Sequence, residues 1–376
     1  MHASGMNILF LNSNREWGGG EVWLTAIVRG LQQRGHHATV ICQPGSPLFH
    51  RLMSDSFNCI PLALTGDFNP FTIFSVWRII KQHSINLVCV HTEKQLRITG
   101  CACLMSGVPI VVSREVDVPI DDTFVNRYFF GKIASAVMVN SRATRDTLFE
   151  SAPWLRNQSV RVVWKGIDIS VYDSVSPARV RKEFGLSDDD CLVGFVGRLD
   201  EQKGIPTLLE AMSIVSKKNP RIKLILVGDG NLKESILQFS VQNMLEHNIY
   251  LTGFREDIPA FLKAMDFVVV PSYWEGFCYA ALEAMAAGKA VIGSHTSSIP
   301  ELVADHDTGI LVASHSPEEL VNAIINLSEN PSLQKTMGDH GRRRAEKLFQ
   351  FSTMLEKTEA LFREVIDGTL DRSKPA

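Results

Sequence analysis

The chain has 376 residues, which is more than one ordinary hydrophobic core accommodates and enough for two domains. Hydrophobic residues make up 45% of the sequence and charged residues 21%, a balance that is typical of folded globular proteins and excludes a disordered chain. The formal net charge is −3, and no dense Lys/Arg run with interleaved aromatic residues is present, so we expect no nucleic-acid partner.

The sequence predicts a cytoplasmic protein. No apolar run approaches the roughly 20 residues that span a bilayer, and the first residues lack the pattern of a secretory signal. The seven cysteines are odd in number and are not spaced as pairs, which favours reduced, buried thiols. The spacing of Cys101 and Cys103 does not indicate a metal site, and we expect both to be core residues of a helix.

Charge is distributed unevenly along the chain. Residues 1–165 contain 16 Lys and Arg against 11 Asp and Glu, whereas the remainder contains 22 against 30. One interpretation is that the basic half faces an anionic acceptor or lipid headgroups, with peripheral attachment to the inner face of a membrane. The alternative is a solvated surface with a chance asymmetry.

The first half alternates strand-like and helix-like segments. Short apolar runs predict strands, and apolar residues at helical spacing predict the segments between them. The predicted strands are Asn7–Asn12, Ala38–Cys42, Leu87–His91, Pro109–Ser113, Ala136–Asn140 and Val160–Val163, and the predicted helices are Glu21–Arg34, Phe71–His83 and Gln95–Ser106.

A polar segment, residues 168–190, interrupts the alternation, and we interpret it as the interdomain connection with a short helix. The alternation then resumes. The predicted strands are Cys191–Val196, Ile222–Val227, Ile249–Thr252, Phe267–Pro271 and Ala290–Gly293; the predicted helices are Ile205–Lys217, Asn231–Leu245, Ile258–Ala264, Tyr279–Ala287, Pro317–Glu329, Pro331–Phe349 and Ser352–Ile366. The fold class is therefore α/β, with two Rossmann-like, doubly wound domains. We expect domains at 1–168 and 191–350, a linker at 169–190, and a final helical segment at 351–376.

Ligands of such sheets bind beyond the carboxyl ends of the strands, so the loops that follow strands carry the candidate site. Gly18-Gly19-Gly20 follows the first predicted strand and opens a helix. Because glycines permit close approach and a helix N-terminus offers free N–H groups, Gly19 and Gly20 are candidates for binding a phosphate or a sugar hydroxyl. A flexible turn is the alternative.

Two cations follow the first strand of the second half. Arg198 comes directly after Gly197, and Lys203 precedes Gly204 at the start of a helix. Both lie at the carboxyl end of one strand, where a diphosphate can be clamped. Two solvated surface charges are the alternative.

The next two loops are also glycine-containing. Gly228-Asp229-Gly230 requires flexible backbone, and Gly253-Phe254-Arg255 follows the strand after it. In a doubly wound unit these loops line the same crevice, so a nucleotide base could rest against residues 253–255.

The richest segment is residues 271–288. Its two carboxylates, Glu275 in a loop and Glu283 in a helix, are candidates for accepting paired hydrogen bonds from sugar hydroxyls. The amides of Gly276–Cys278 lie at the helix start, where phosphate oxygens bind. Two surface glutamates are the alternative, although Glu283 is surrounded in sequence by Ala, Leu and Met.

With these motifs in order, the chain resembles the retaining glycosyltransferases of family 4 over nearly its whole length. The motif that carries the resemblance is Trp274-Glu275-Gly276-Phe277 with Glu283-Ala284-Met285-Ala286-Ala287-Gly288, followed by Pro300-Glu301-Leu302-Val303. The resemblance implies a GT-B fold with a cleft between the domains, a nucleotide diphosphate sugar donor, and final helices that cross back onto the first domain.

The resemblance also implies residue roles. Arg198 and Lys203 would hold the diphosphate, Glu283 the ribose, and Glu275 with the Gly276–Cys278 amides the donor sugar. His91 occupies a position where the family often has a histidine near that sugar; a core histidine is the alternative.

Three positions depart from the family pattern. Cys278 replaces a frequent glycine, which would narrow the sugar pocket, and Lys165-Gly166 replaces a frequent Asn-Gly. Arg114-Glu115 stands where many relatives carry histidine. The last departure leaves the acceptor open.

The expected function is hexosyl transfer from a nucleotide diphosphate sugar to a glycan or lipid-linked acceptor, in bacterial surface polysaccharide or lipopolysaccharide assembly. We expect no cofactor and no metal, because the only acidic cluster, Asp188–Asp190, precedes its strand. Two alternatives remain: a nucleotide-sugar epimerase or hydrolase on the same fold, and a non-catalytic nucleotide-sugar-binding subunit.

Overall fold

The computed structural model describes residues 5–370, and contacts among them divide the chain into two compact units. Unit 1 contains the described residues up to Trp164 and those from Met354 onward, and unit 2 contains Lys165–Thr353. Each unit is built on one sheet whose neighbouring strands are all parallel. The two Rossmann-like sheets confirm the predicted α/β class.

Unit 1 has a seven-stranded sheet in the order β3-β2-β1-β4-β5-β6-β7. Its strands are β1 (Asn7–Asn12), β2 (His37–Cys42), β3 (Asn58–Pro61), β4 (Leu87–Val90), β5 (Ile110–Arg114), β6 (Ala136–Val139) and β7 (Val160–Val162). Its helices are α1 (Gly19–Gln33), α2 (Pro47–Ser54), α3 (Pro70–Gln82), α4 (Glu93–Ser106), α5 (Phe124–Tyr128), which continues as a π-helical turn at Phe129–Ile133, and α6 (Arg142–Ser151).

Unit 2 has a six-stranded sheet in the order β10-β9-β8-β11-β12-β13. Its strands are β8 (Cys191–Val196), β9 (Ile222–Val227), β10 (Ile249–Gly253), β11 (Phe267–Val270), β12 (Ala290–Ser294) and β13 (Gly309–Val312). Its helices are α7 (Ala178–Glu183), α8 (Ile205–Lys218), α9 (Lys233–Gln242), α10 (Ile258–Ala264), α11 (Tyr279–Ala286), α12 (Ile299–Leu302), α13 (Pro317–Glu329) and α14 (Pro331–Leu348).

The last helix, α15 (Phe351–Ile366), packs within unit 1 from Met354 onward. The ring of Phe362 lies 6.4 Å from that of Phe10 in β1. Glu359 accepts a hydrogen bond from Arg34 at 3.1 Å and lies 3.2 Å from His36 Nε2. Both a core contact and an ionic contact therefore fix this helix on unit 1.

The strand order places a topological switch point in each sheet. In unit 1, β1 has β2 on one side and β4 on the other; in unit 2, β8 lies between β9 and β11. Connections leave these central strands in opposite directions, which opens a crevice beyond their carboxyl ends. The loops after β1 and β4, and after β8 and β11, are thus the parts of the fold that position a site.

Several elements differ from the sequence predictions. Strands β3 and β13 and helices α2 and α6 were not predicted, and β3 lies at the sheet edge with half-exposed residues, so it lacks a strong apolar run. Residues 169–190, predicted as a linker, pack within unit 2, where Arg181 pairs with Asp266 at 3.0 Å. No helix within residues 5–370 is long and apolar enough to cross a membrane.

All seven cysteines are free thiols, but not all are buried. Cys59, Cys101 and Cys191 are partly exposed, so the prediction of buried thiols is wrong for these three. Two cysteines that are distant in sequence also meet, because the sulfur atoms of Cys42 and Cys59 lie 2.9 Å apart across neighbouring strands.

Candidate functional site

In unit 2 the loop after β8 is a rigid support for two cations. A short 3₁₀ helix, Glu201–Lys203, is capped by Asp200, whose carboxylate accepts from the Lys203 amide at 3.2 Å. It ends at Gly204, which has a φ of +68°; a Cβ there would lie 1.9 Å from the carbonyl oxygen of Pro271. Only glycine permits this approach, so the loop after β8 is fixed against the end of β11.

That approach brings Lys203 to Glu275. The Lys203 Nζ atom lies 2.6 Å from Glu275 Oε1, and Ser272 donates a hydrogen bond to the same oxygen at 2.8 Å. Glu275 is 5% exposed, and no partner for its second oxygen is found among residues 5–370. The carboxylate is therefore oriented, with one oxygen left to accept a further hydrogen bond.

Arg198 lies beside this pair but is far more exposed. Its side chain is 69% exposed, contacts Asp200 at 3.1 Å and donates to Gln202 Oε1 at 3.1 Å. Gln202 in turn donates to the carbonyl oxygen of Trp274 at 3.0 Å. The guanidinium is thus tethered near the loop after β11 while most of its surface remains open to a ligand.

The glycines of the next loop serve close backbone packing. Gly197 and Gly228 have φ values of +151° and +143°, and a Cβ on Gly228 would lie 1.9 Å from the Gly197 carbonyl oxygen. A Cβ on Gly230 would lie 2.3 Å from the carbonyl oxygen of Leu199. The loops after β8 and β9 therefore pack closely against each other. This packing requires glycine at these positions whether or not they contact a ligand.

Glu283 lies on α11, in an environment different from that of Glu275. Its carboxyl is partly buried and has no hydrogen-bond or ion-pair partner among residues 5–370. Desolvation raises the pKa of Glu283 to about 7. Burial and, secondarily, the nearby Glu283 charge also raise the pKa of Tyr172. This carboxylate is an uncompensated acceptor.

Helix α11 begins directly after the Gly276–Cys278 segment, with Cys278 as its N-cap. The Cys278 thiol is buried, and burial, followed by the charge of Glu275, raises its pKa. The amide of Tyr279, the first residue of α11, donates to the carbonyl oxygen of Phe277 at 3.1 Å, and the Leu282 amide donates to the carbonyl oxygen of Cys278 at 3.2 Å. The thiol itself is enclosed by protein.

In unit 1 the glycine loop is closed by a residue that the sequence analysis did not assign to the site. Glu21 is buried and accepts hydrogen bonds from the side chains of Asn12 at 2.8 Å and Asn14 at 2.7 Å and from the Gly18 amide at 2.9 Å. Its spacing of three residues from the N-cap Gly18 is the sequence signal that would have found it. Gly19 and Gly20 form the first turn of α1, and a Cβ on either would meet no atom within 4 Å.

His91 follows β4, at the switch point of unit 1. Its ring packs edge-on against Trp23, with the ring centres 5.2 Å apart, and its Nδ1 lies 3.7 Å from Glu115 Oε1. Its amide donates to Gln95 at 2.8 Å, and Gln95 donates to Ser13 in the loop after β1 at 3.0 Å. The loops after β1 and β4 are therefore joined, with His91 between them.

Arg114 and Glu115, which depart from the family pattern, take part in a network of hydrogen bonds and ion pairs. Arg114 is 4% exposed, pairs with Glu93 and donates to the carbonyl oxygen of Val118 at 2.8 Å. It thereby fixes the loop after β5 instead of offering its charge to a ligand. Glu115, held by Ser113 at 3.3 Å, is the member of the pair that contacts His91.

The loop at residues 253–255, predicted to contact the nucleotide base, contains one exposed and one ion-paired side chain. Phe254 is 69% exposed, whereas Arg255 is engaged by Glu183 and Asp257, each at 2.9 Å. The hydrogen bonds that Arg255 donates to Asp257 and Glu183 raise its pKa. The exposed Phe254 ring is suited to stacking, whereas the Arg255 guanidinium lies over the ring of Phe261, 4.8 Å from its centre. Within residues 5–370, no three His, Cys, Asp or Glu side chains are grouped to hold a metal ion.

Comparison with known proteins identifies the family. The model for Glycosyltransferase Family 4 matches residues 17–171, and the model for Glycosyl transferases group 1 matches residues 178–344. The two matches are consecutive and together cover most of the chain. The chain belongs to the family 4 glycosyltransferases. Both units of the fold are therefore family domains.

Two curated relatives of this glycosyltransferase illustrate the range of similarity. An uncharacterized glycosyltransferase, MJ1178, of Methanocaldococcus jannaschii is 29% identical over 66% of this chain and 66% of its own length. A UDP-Gal:alpha-D-GlcNAc-diphosphoundecaprenol alpha-1,3-galactosyltransferase of Escherichia coli is 23% identical over 87% of this chain and 89% of its own. The first relatives are matched over about two thirds of their length or less.

Solved structures agree on the fold. The Anabaena protein Alr3699/HepE, solved in complex with UDP, superposes with a TM-score of 0.84 at 24% identity, covering 96% of this chain and 100% of that one. This similarity confirms the GT-B fold of the family 4 glycosyltransferase.

We predict that Glu283→Gln stabilises the protein at pH 8. The pKa of Glu283 in the folded state, about 7, lies above the ordinary value of 4.5. The free energy of unfolding therefore decreases as pH rises from 4.5 to about 7, and above pH 7 the whole loss is present. Since one pKa unit corresponds to about 1.4 kcal/mol, the amide should add about 1–3 kcal/mol at pH 8. Thermal unfolding at pH 8 and near pH 4.5 measures this effect.

The gain should disappear near pH 4.5, where the native carboxyl is protonated. Glu256→Gln, at an exposed loop residue, is the matched control and should change stability equally little at both pH values. A Glu283→Gln variant less stable than wild type at pH 8 would contradict the interpretation.

Proposed function

We propose that this protein is a retaining glycosyltransferase that moves a hexose-type sugar from a nucleotide diphosphate sugar to a glycan or lipid-linked acceptor. The observation that carries the proposal is the Lys203–Glu275 pair at the switch point of unit 2, beside the unpartnered Glu283. Family membership supports the reaction class. The complexes of the Anabaena protein with UDP and with UDP-glucose favour a nucleotide-sugar donor.

The two cations have distinct tasks in this mechanism. Arg198, tethered and exposed, binds the leaving diphosphate with two parallel N–H groups. Lys203 is shared between that diphosphate and Glu275, so it stabilises the negative charge that develops as the glycosidic bond breaks. The acceptor hydroxyl attacks from the face that the leaving phosphate occupies, and this same-face attack retains the anomeric configuration.

The two carboxylates bind different parts of the donor. One oxygen of Glu275 is engaged by Lys203 and Ser272, and the other accepts from a hydroxyl of the transferred sugar. Glu283 accepts from the ribose diol of the nucleotide. Within unit 1, His91 and the amides of Gly19 and Gly20 are the groups that suit a sugar hydroxyl or a phosphate oxygen.

Product analysis tests the reaction as a whole. We expect sugar transfer to an acceptor hydroxyl with retained anomeric configuration, measured by nuclear magnetic resonance of the product, and equal initial rates in excess EDTA and in added magnesium. Inversion, a free epimerised or hydrolysed sugar as the only product, or activity that depends on metal would each overturn the corresponding part of the proposal.

We predict that Glu283→Gln weakens nucleotide binding while it stabilises the fold. Losing a charged hydrogen-bond partner costs roughly 1.5–3 kcal/mol, about ten- to hundredfold in affinity. For the wild type, affinity for a UDP-sugar should fall as pH decreases below about 7, because binding needs the ionised carboxylate. Calorimetry from pH 8 to pH 6 measures both effects; a variant with unchanged affinity and pH profile would refute the ribose contact.

We predict that Arg198→Ala and Lys203→Ala reduce kcat more than they raise KM. A fixed cation gains attraction as charge grows on the leaving phosphate, and removing such a stabiliser typically costs about 10²–10³ in kcat. Arg198→Lys should recover only part, since the planar two-pronged contact is lost. Steady-state kinetics decide the point, with Lys217→Ala, an exposed cation in the last turn of α8, as control.

Thermal unfolding must accompany the Lys203 variant, because it leaves a buried carboxylate unpaired. Retention of kcat within about threefold in both alanine variants would make the proposed phosphate contacts wrong.

Unit 1 carries a surface that fits an anionic membrane. On α3, Phe71 and Phe74 are 82% and 55% exposed, and Arg78 and Lys81 continue the same helix face at spacings of three and four residues. The segment Pro70–Gln82 contains no Asp or Glu. Exposed aromatic rings beside cations are the pattern of interfacial helices, and they favour a lipid-linked acceptor and peripheral attachment.

We predict weak, salt-sensitive binding of the protein to vesicles that contain phosphatidylglycerol. Each surface cation contributes about 1 kcal/mol, and salt screens it. Replacing Phe71 and Phe74 together by Ser should lower partitioning at least tenfold, because burying one Phe contributes about 1.5–3 kcal/mol. Flotation measures this.

The matched control replaces Val241 and Met244, two exposed apolar residues of unit 2, by Ser. It should leave flotation unchanged. Equal flotation of the wild type with phosphatidylcholine and phosphatidylglycerol vesicles at low salt would contradict the membrane surface.

A further inference from the structure

Two cysteines of unit 1 form a close pair that the sequence does not reveal. Cys42 ends β2 and Cys59 lies in β3, with 16 residues and helix α2 between them. Their sulfur atoms are 2.9 Å apart. A disulfide bond measures about 2.05 Å, so a movement of less than 1 Å would join them.

The strand register explains why the two thiols meet. Cys59 pairs with Val40 and Pro61 pairs with Cys42 in the parallel ladder. Residues two apart on a strand share a face, so Cys42 and Cys59 are diagonal neighbours on one face of the sheet. A side-chain hydrogen bond from Asn58 to Thr39, 2.8 Å long, and a backbone bond from Leu62 to Cys42, 3.0 Å long, hold this register.

The two thiols differ in environment. Cys42 is fully buried, whereas Cys59 is partly exposed on the edge strand. The hydrogen bond from Cys42 lowers the pKa of Cys59, and the same contact, with burial, raises the pKa of Cys42. Cys59 is therefore the accessible, more nucleophilic partner, and Cys42 lies directly behind it.

We propose that Cys42 and Cys59 form a reversible intramolecular disulfide when the protein meets a peroxide. The Cys59 thiolate attacks one oxygen of hydrogen peroxide, the O–O bond breaks, and a sulfenic acid and one water form after protonation. The Cys42 sulfur then attacks the Cys59 sulfur, the S–O bond breaks, and a second water leaves. Two thiols are oxidised by two electrons and one peroxide is reduced to two waters; a dithiol reverses the step.

The other cysteines provide an internal comparison. Cys101 and Cys103 both lie on α4, two positions apart, and helix residues at this spacing do not face each other. Cys103 is buried, and burial raises its pKa. Cys101 and Cys103 are thus close in sequence but do not face each other, whereas the sheet register brings Cys42 and Cys59 together.

Oxidised and reduced protein can be compared directly. The reduced full-length chain is treated with a small molar excess of hydrogen peroxide, denatured, and alkylated with iodoacetamide. We expect five alkylated cysteines instead of the seven in the sequence, an intact mass lower by about 2 Da before alkylation, since two hydrogens are lost, and a peptide that links Cys42 to Cys59. Dithiothreitol should restore seven.

A second readout follows from the position of the link. The bond would tie edge strand β3 to β2 and close the loop that contains α2. Amide hydrogen exchange in β3 and α2 should therefore slow on oxidation, with little change in unit 2.

Variants separate the specific pair from general oxidation. Cys42→Ser and Cys59→Ser should each abolish the linked peptide, and Cys103→Ser should leave it unchanged. Seven alkylated thiols after peroxide treatment, sulfinic acid at Cys59 without a link, or only intermolecular disulfides would each overturn the proposal. Glycosyl transfer is not part of this test, so its result is independent of the proposed function.

Discussion

The ion pair between Lys203 and Glu275 is the contact on which the site of unit 2 depends. It joins two loops that are 72 residues apart in sequence, one after β8 and one after β11, at the point where the strand order reverses. Moving two charges out of water is costly, and the attraction offsets this cost only when geometry is good and further hydrogen bonds are made. Ser272 supplies such a bond, and the approach of Gly204 to Pro271 fixes the distance. The pair thus depends on backbone packing that only glycine permits.

Glu275 and Glu283 are eight residues apart in one segment, but their carboxylates have different electrostatic environments. Glu275 is compensated by a cation, whereas Glu283 is left with a pKa of about 7 and no partner among residues 5–370. An uncompensated carboxylate reduces the stability of the folded state, and such costs persist at positions that serve binding. The contacts of Glu275 with Lys203 and Ser272 orient its carboxylate and leave the second oxygen available to a hydrogen-bond donor.

Much of the fold follows from the sequence because buried parallel strands are short apolar runs separated by helices of clear periodicity. Ile222–Val227, Ile258–Ala264 and Pro317–Glu329 have the predicted bounds. The edge strand β3 was missed because its four residues, Asn-Cys-Ile-Pro, are partly exposed and form no apolar run. The edge strand β13, Gly309–Val312, is apolar and was also missed. The site is less accessible to prediction. Loops after strands identify candidate residues, but the choice of Lys203 over Arg198 as the partner of Glu275 depends on a contact between distant segments.

The carboxylates at the two switch points differ in how many of their oxygens already accept hydrogen bonds, and this difference separates candidate ligand-binding positions from structural ones. Glu21 resembles a binding residue by position, since it follows the glycine loop after β1. Yet both of its oxygens are occupied, by Asn12 and Asn14 on one side and the Gly18 amide on the other, so it has little capacity left for a ligand. It instead fixes the loop whose glycines remain open. Glu275 is half occupied and Glu283 is unoccupied within the described chain. Because a buried acceptor without a partner gains most from a new hydrogen bond, the order of expected ligand dependence is Glu283, then Glu275, then Glu21, an order that sequence position alone does not provide.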